Sequence, residues 1–174
     1  MSFKTHSWIY ILIFILFVLL VVNIFDKEDT FFAISSNKIV NNNEIRVVDG
    51  DTLEFNREKY RLYGIDCPES NQKYGSESTK ITKDILKKHD HISLRKNGMD
   101  QYGRNIAVVS LGQQWTLQEE LLSLGSAWLY TDFCKIPECE DWKLLEMDAR
   151  RKKMGLWAQS NPIAPWKWRK LKRR

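Results

Sequence analysis

From Glu44 to Ile65 the chain changes character every few residues, and this rhythm limits what it can fold into. Glu44–Val48 and Asp51–Asn56 are short β-branched or alternating segments split by Asp49-Gly50, a dipeptide that favours a tight hairpin. Asn56-Arg57-Glu58 turns the chain again into Lys59–Ile65, where Tyr60 and Leu62 alternate with Arg61 and Tyr63. The pattern predicts a three-stranded meander. Two more strands are predicted at His91–Arg95 and Arg104–Leu111, joined by the polar turn Lys96–Gly103.

Three helices complete the reading. Tyr74–Lys88 carries Ile81, Ile85 and Leu86 on one side. Thr116 and Glu119 form a capping-box pattern ahead of Leu117, Leu121, Leu122 and Leu124, and Gly125 is a natural stop. A last helix is predicted from about Asp141 to Lys153, with Trp142, Leu145 and Ala149 on one stripe and Gly155 beyond it. Five short strands with interspersed helices fit an α+β, mainly β domain built as a small Greek-key barrel of the OB type. Alternation alone leaves the closure of that barrel open.

The first residues belong to another regime. Trp8–Phe25 is an 18-residue run whose only polar side chains are Tyr10 and Asn23. As a helix it would extend roughly 27 Å, close to the hydrocarbon thickness of a bilayer. The run is longer than the apolar part of a cleavable signal, and no small-x-small site follows it directly. The expectation is an uncleaved transmembrane signal anchor over residues 8–25. A short cytoplasmic stretch (1–7) would precede it, and a polar tether (26–43) would follow. Lys4 lies ahead of the run, while Asp26, Glu28 and Asp29 lie behind it. That bias keeps the amino terminus in the cytoplasm and places the rest in the periplasm or cell exterior.

Charge is divided just as unevenly at the other end. Residues 150–174 hold ten Lys and Arg and no Asp or Glu, so the remainder of a chain of net charge +5 is acidic. A basic end on an acidic body suits contact with a polyanion, nucleic acid or an anionic membrane surface. Of the three cysteines, Cys134 and Cys139 bracket Lys-Ile-Pro-Glu, where a turn at Pro137 would bring them together. Export makes a small disulfide loop plausible. Two reduced, half-buried thiols are the alternative. Zinc would need further ligands; His89 and His91 are distant in sequence and read as a surface pair.

Two stretches carry the chemistry. The first is Asp49-Gly-Asp-Thr52 with Arg61-Leu-Tyr-Gly-Ile-Asp-Cys-Pro-Glu-Ser70, and the second is Asp100-Gln-Tyr-Gly-Arg104. Asp51 follows the hairpin turn and Asp66 ends the third strand, so a meander can set them side by side. Paired carboxylates hold a hard divalent cation. Arg61, flanked by Tyr60 and Leu62 within a strand, is costly to bury unless it meets an anion. Arginines clamp phosphate in a planar fork.

The order and spacing of these residues closely resemble the staphylococcal nuclease family, from about Glu44 to Trp168. The resemblance implies a five-stranded barrel with three helices over residues 44–168, with residues 169–174 left as a basic tail. It implies a calcium-dependent endonuclease acting on DNA and RNA as a monomeric domain, with products ending in 3′-phosphate. Asp51, Asp66 and the main-chain carbonyl of Cys67 would hold Ca2+; Glu69 would act as general base or orient the water. Arg61 and Arg104 would stabilise the transition state. Tyr102 and Tyr130 would contact substrate, while Phe133 reads as core. Gln101 departs from a lysine common in the family. The segment Pro165-Trp-Lys-Trp-Arg169 resembles a closing segment of bacterial members, with tryptophan packed on the last helix. The alternative is a noncatalytic OB-fold nucleic-acid-binding module tethered to the membrane.

Overall fold

The computed structural model describes residues 13–15, 37–112 and 115–173. Residues 13–15 are helical; the rest of the apolar stretch, and with it the expected anchor, lies outside the described residues. Among the described residues no helix is long and apolar enough to cross a membrane. Lys38–Arg174 forms one compact unit.

Its strands, in chain order, are β1 (Asn37–Asn41), β2 (Arg46–Asp49), β3 (Thr52–Phe55), β4 (Glu58–Leu62), β5 (Ile65–Asp66), β6 (His91–Met99), β7 (Asn105–Ser110) and β8 (Trp128–Leu129). Four helices accompany them: α1 (Gly75–Leu86), α2 (Leu117–Ser123), α3 (Cys139–Arg151) and α4 (Pro165–Lys172). The meander expected from the alternation is present, with β2, β3 and β4 paired antiparallel. Its second turn places Asn56 and Arg57 at φ of 50° and 64°, the left-handed pair that a two-residue hairpin requires.

Six strands form one sheet in the order β1-β6-β7-β4-β3-β2, and β5 pairs with β8 separately. That order forces the sheet to curl. β1 and β2 occupy opposite edges, yet only residues 42–45 join them, a connection that spans at most roughly 18 Å. Across a flat sheet of six strands the same edges would stand about 24 Å apart. The result is a curled, barrel-like sheet.

Four expectations need correction. The third strand of the meander stops at Leu62, because the chain turns at Tyr63-Gly64, and Asp66 lies on the separate β5 instead of ending that strand. The sheet has more than five strands, because β1 lies inside the segment read as a tether; its short Lys38-Ile39-Val40 run is hidden among asparagines. A fourth helix, α4, continues through Arg169, so residues 169–174 do not form a separate tail. β6 also runs past Arg95 to Met99, using Gly98 at φ 121° where the register against β7 shifts, and this confines the turn to Asp100–Gly103.

The core follows the predicted faces. Tyr60 and Leu62 of β4, Leu94 of β6, Leu117, Leu121 and Leu122 of α2 and Trp142 of α3 are all fully buried. Complete burial of one such aliphatic side chain contributes roughly 1.5–3 kcal/mol. α2 opens with both bonds of the predicted capping box between Thr116 and Glu119.

Gln118, also fully buried, does a strand's work. β4 pairs with β7 only through Ala107. Beyond that point the Gln118 amide donates to the Ala107 carbonyl at 2.9 Å and accepts from the Val109 N–H at 3.2 Å. Gln118→Ala would leave the Val109 N–H buried without a partner. The expected loss is about 2–3 kcal/mol in urea unfolding, and an unchanged midpoint would show that the amide is dispensable.

Candidate active site

The site is assembled at the turn between β2 and β3. Asp51 cannot move freely there, because Gly50 before it is pressed against α1 and the loop after β5. A Cβ on Gly50 would stand 2.5 Å from Ser78 Oγ and 2.7 Å from Cys67 Cβ. Thr82 of α1 donates its hydroxyl to the Gly50 carbonyl at 2.7 Å. The Cys67 N–H then donates to Asp51 Oδ2 at 2.6 Å, so a carboxylate from one turn is fastened to the backbone of another.

Arg61, on β4, completes that junction. Its Nη1 pairs with Asp51 Oδ1 and its Nη2 donates to Asp66 Oδ1 at 2.6 Å. One guanidinium thus brings together carboxylates that are 15 positions apart in the chain. Asp66 is buried and Arg61 nearly so. Burial opposes the charge of Asp51, but Arg61 and the Cys67 N–H outweigh it and hold its pKa below the usual range. Burial also works against the Arg61 charge, and Asp51 and Asp66 reverse that, so the guanidinium stays protonated. Asp49 accepts the Asp51 N–H at 3.1 Å but forms no ion pair of its own among the described residues. Burial, with Asp51 beside it, pushes its pKa up to about 6.

Glu69 is set by the tight loop that leads into α1. Its carbonyl accepts from the Gln72 N–H at 2.8 Å, and its own N–H donates to Gln72 Oε1 at 3.2 Å. The Gln72 amide in turn reaches the Ile163 carbonyl at 2.6 Å. Pro68 precedes this loop.

Sequence reasoning missed one member of the site. Arg169, on α4, donates from Nη1 to Glu69 Oε1 at 2.6 Å and from Nη2 to Asp66 Oδ2 at 2.8 Å. The sequence reading left this residue in a basic tail free to attract nucleic acid. Its separation from Asp66 is 103 residues, and no local pattern signals the pairing.

Arg104 stands on the other side. It is held by Asp100, whose Oδ1 accepts the Arg104 N–H at 3.0 Å and whose Oδ2 accepts Nε at 2.7 Å. This leaves the two terminal amino groups of the guanidinium available beside the groove. That groove, about 1000 Å³ in volume, is lined by Asp51, Arg61, Glu69 and Arg104, and by Tyr102 and Tyr130. Asp66 is buried and does not line the groove, although its chain neighbours Ile65 and Cys67 do. Tyr102 is exposed, with the Arg104 guanidinium 5.7 Å from its ring. Tyr130 packs parallel to Trp166 at 4.8 Å. Phe133 is not a core residue: it is 61% exposed and lines the same groove, because the neighbouring Cys134 takes the inward position. Cys134 and Cys139 are joined by a disulfide, with Cα atoms 5.8 Å apart.

The donor set suits a hard cation. Asp51 and Asp66 both reach the Arg61 guanidinium, and oxygen ligands of this kind match calcium better than a soft metal. Among the described residues no group of three or more His, Cys, Asp and Glu side chains is arranged as a metal shell. A cation here would rest on two carboxylates, with main-chain oxygen such as that of Cys67 and water supplying the rest.

A curled mainly β sheet bearing aspartates, a glutamate and arginines around one groove defines the class of protein. Residues 59–159 match the family model described as staphylococcal nuclease homologue, and the chain belongs to that family. It is 31% identical over 138 residues to a micrococcal nuclease of Shigella flexneri, covering 72% of this chain and 78% of that protein. It is 32% identical over 132 residues to an uncharacterized endonuclease of Escherichia coli, covering 74% and 84%. An uncharacterized 38.1 kDa protein of Capnoides sempervirens is 39% identical over 116 residues, but the match spans 66% of this chain and only 32% of the plant protein.

The loop that carries Glu69 leads to a direct test. A Cβ on Gly75 would lie 1.9 Å from the Glu69 carbonyl oxygen, which no rotamer change relieves. Gly75→Ala should therefore cost at least about 1–3 kcal/mol, the usual range for overpacking. Chemical denaturation checks this, and wild-type stability would show that the Glu69 loop is not held by that contact.

Proposed function

We propose that the protein is a calcium-dependent endonuclease that hydrolyses phosphodiester bonds of DNA and RNA. The observation that carries this reading is the convergence of Asp51, Arg61, Glu69 and Arg104 on a single open groove, with buried Asp66 paired to Arg61. The family and the nuclease names of its bacterial relatives support the same reaction.

Asp51 and Asp66 would hold the cation through hard oxygens. Bound there, calcium supplies Lewis-acid polarisation of the phosphate and makes nearby water more acidic. Glu69, at the groove wall, accepts the proton of the attacking water or orients it for in-line approach. Arg61 and Arg104 face the charge that grows on the equatorial phosphate oxygens. Arg61 is shared with the aspartates, so its pull on phosphate strengthens when a cation takes over part of their charge. The bond from phosphorus to the 5′-oxygen breaks, and that oxygen takes a proton from solvent and leaves as a hydroxyl, with the phosphate retained on the 3′ side. Tyr102, Tyr130 and Phe133 offer exposed or half-exposed rings along the groove, and stacking on them would tolerate any base.

The Cys134–Cys139 disulfide favours an oxidising compartment. Together with the apolar run over residues 8–25 it supports a membrane-anchored protein with its domain in the periplasm or cell exterior.

Three variants test the chemistry. Arg61→Ala and Arg104→Ala should each lower kcat by about 100-fold or more, the scale of a lost transition-state charge contact. Glu69→Gln should keep calcium and nucleotide binding while losing most turnover. The measurement is cleavage of single-stranded DNA and RNA with calcium or chelator. Binding without cleavage by the wild-type protein would make it a nucleic-acid-binding module, and cleavage that persists in chelator would remove the cation from the reaction.

A further inference from the structure

Helix α4 places two of its side chains at the proposed catalytic site. Arg169 occupies both carboxylates most needed there: Nη1 donates to Asp66 Oδ1 at 3.1 Å and to Glu69 Oε1 at 2.6 Å, and Nη2 donates to Asp66 Oδ2 at 2.8 Å. One turn earlier, Trp166 lies against the face of Tyr130 at an angle of 4° and a centroid distance of 4.8 Å. A guanidinium therefore sits where a cation would be held, and an indole sits where a base would stack.

The geometry makes these occupancies exclusive. Asp66 is only 1% exposed, and its Oδ2 is in contact with Arg169. A divalent cation can reach that oxygen only if Arg169 gives it up. Deprotonation does not provide the release, since a guanidinium stays protonated across the range in which proteins work. Displacement does. The Arg169 side chain is 35% exposed and Glu69 is 37% exposed, so that pair is weak; the contact with buried Asp66 gives way because a divalent cation would take over the same carboxylate charge.

We propose that Arg169 is an internal competitor for the divalent cation: it neutralises Asp66 and Glu69 while the site is unloaded and is expelled into the groove when the cation binds. Loading the site then frees Glu69 from its ion pair and presents a third guanidinium to a phosphate in the groove that Arg169 already lines. The inference rests on the reading that Asp51 and Asp66 hold the cation. The charges make the competition direct, because among the described residues Asp51, Asp66 and Glu69 are ion-paired with Arg61 and Arg169.

Calorimetric titration of calcium into the full-length protein, without nucleic acid, tests the competition. Arg169→Gln should bind calcium with a Kd lower than wild type by ~5-fold or more, the low end of ordinary coupling between linked events. Lys170→Gln removes the same charge from the exposed side of the same helix and should shift Kd far less. Equal or weaker binding by Arg169→Gln, or an equal gain in Lys170→Gln, would overturn the proposal. A second measurement uses the wild-type protein alone. Labelling of Arg169 by a dicarbonyl reagent, mapped by mass spectrometry, should rise with added calcium; unchanged or reduced labelling would also overturn it. If the wild-type protein takes up no calcium, the cation reading of the site fails and this inference fails with it. If it binds calcium and Arg169→Gln gains nothing, only the competition is wrong.

Discussion

The contact between Arg61 and its two aspartates is the constraint on which the site depends. Three separate pieces of chain meet there: the turn that carries Asp51, the strand that carries Arg61 and the short strand that ends at Asp66. Without the guanidinium, two buried carboxylates would repel each other across a medium that screens poorly. A tightly packed hydrophobic group would be at least as stabilising in the same space, since a buried ion pair barely recovers its desolvation cost. A fold seeking stability alone would not place three charges in this position. Chemistry explains them better, and the clamping of Gly50 by Thr82 and of Asp51 by the Cys67 N–H serves to hold them in register.

The fold supplies the rigidity behind that junction. The sheet curls because residues 42–45 tie together its opposite edges, and the interior of the curl is filled by Tyr60, Leu62, Leu94 and the leucines of α2. β4 therefore cannot shift without disturbing the core. Arg61 alternates with Tyr60 and Leu62 along that strand, so its outward direction is fixed by theirs. Glu146 plays a related part behind the groove, accepting from the Leu129 N–H at 2.9 Å and so binding β8 to α3. β8 pairs with the strand that holds Asp66, which links the floor of the site to the last long helix.

How much of this was legible in the sequence depends on distance along the chain. Strands announced by alternation, such as Lys59–Leu62, and helices announced by caps, such as Thr116 with Glu119, are read from neighbours within a few positions. β5 and β8 are two residues each, too short for any period to show. β1 is obscured because its apolar residues, Ile39 and Val40, are flanked by asparagines that suggest a linker. Asp51, Arg61, Asp66, Glu69 and Arg104 could be singled out because their types and spacings form a pattern. Arg169 could not, since an arginine among lysines reads as a solvated charge until folding brings it to Asp66. Phe133 misled in the opposite sense: an aromatic beside a cysteine suggests core, and only the fold shows that the cysteine turns inward and the ring does not.

Helix α4 also resolves an electrostatic difficulty in the proposed function. Outside residues 150–174 the chain is acidic, and five carboxylates line the groove itself, those of Asp49, Asp51, Glu69, Asp100 and Asp132. Such a surface repels a phosphate backbone at the distance where encounter begins. The helix divides its charges between two tasks. Arg169 turns inward and offsets Asp66 and Glu69, while Lys167, Lys170 and Lys172 stay exposed at the mouth of the site's supporting helix. On the proposed function, a polyanion would feel the outer charges before it met the inner ones. The aromatic side chains keep the arrangement in place: Trp166 lies on Tyr130, and the Trp168 indole N–H donates to Asn71 Oδ1 at 3.0 Å. The proposed change of partners by Arg169 would leave its helix docked, because Trp166 and Trp168, both just before it, hold the backbone.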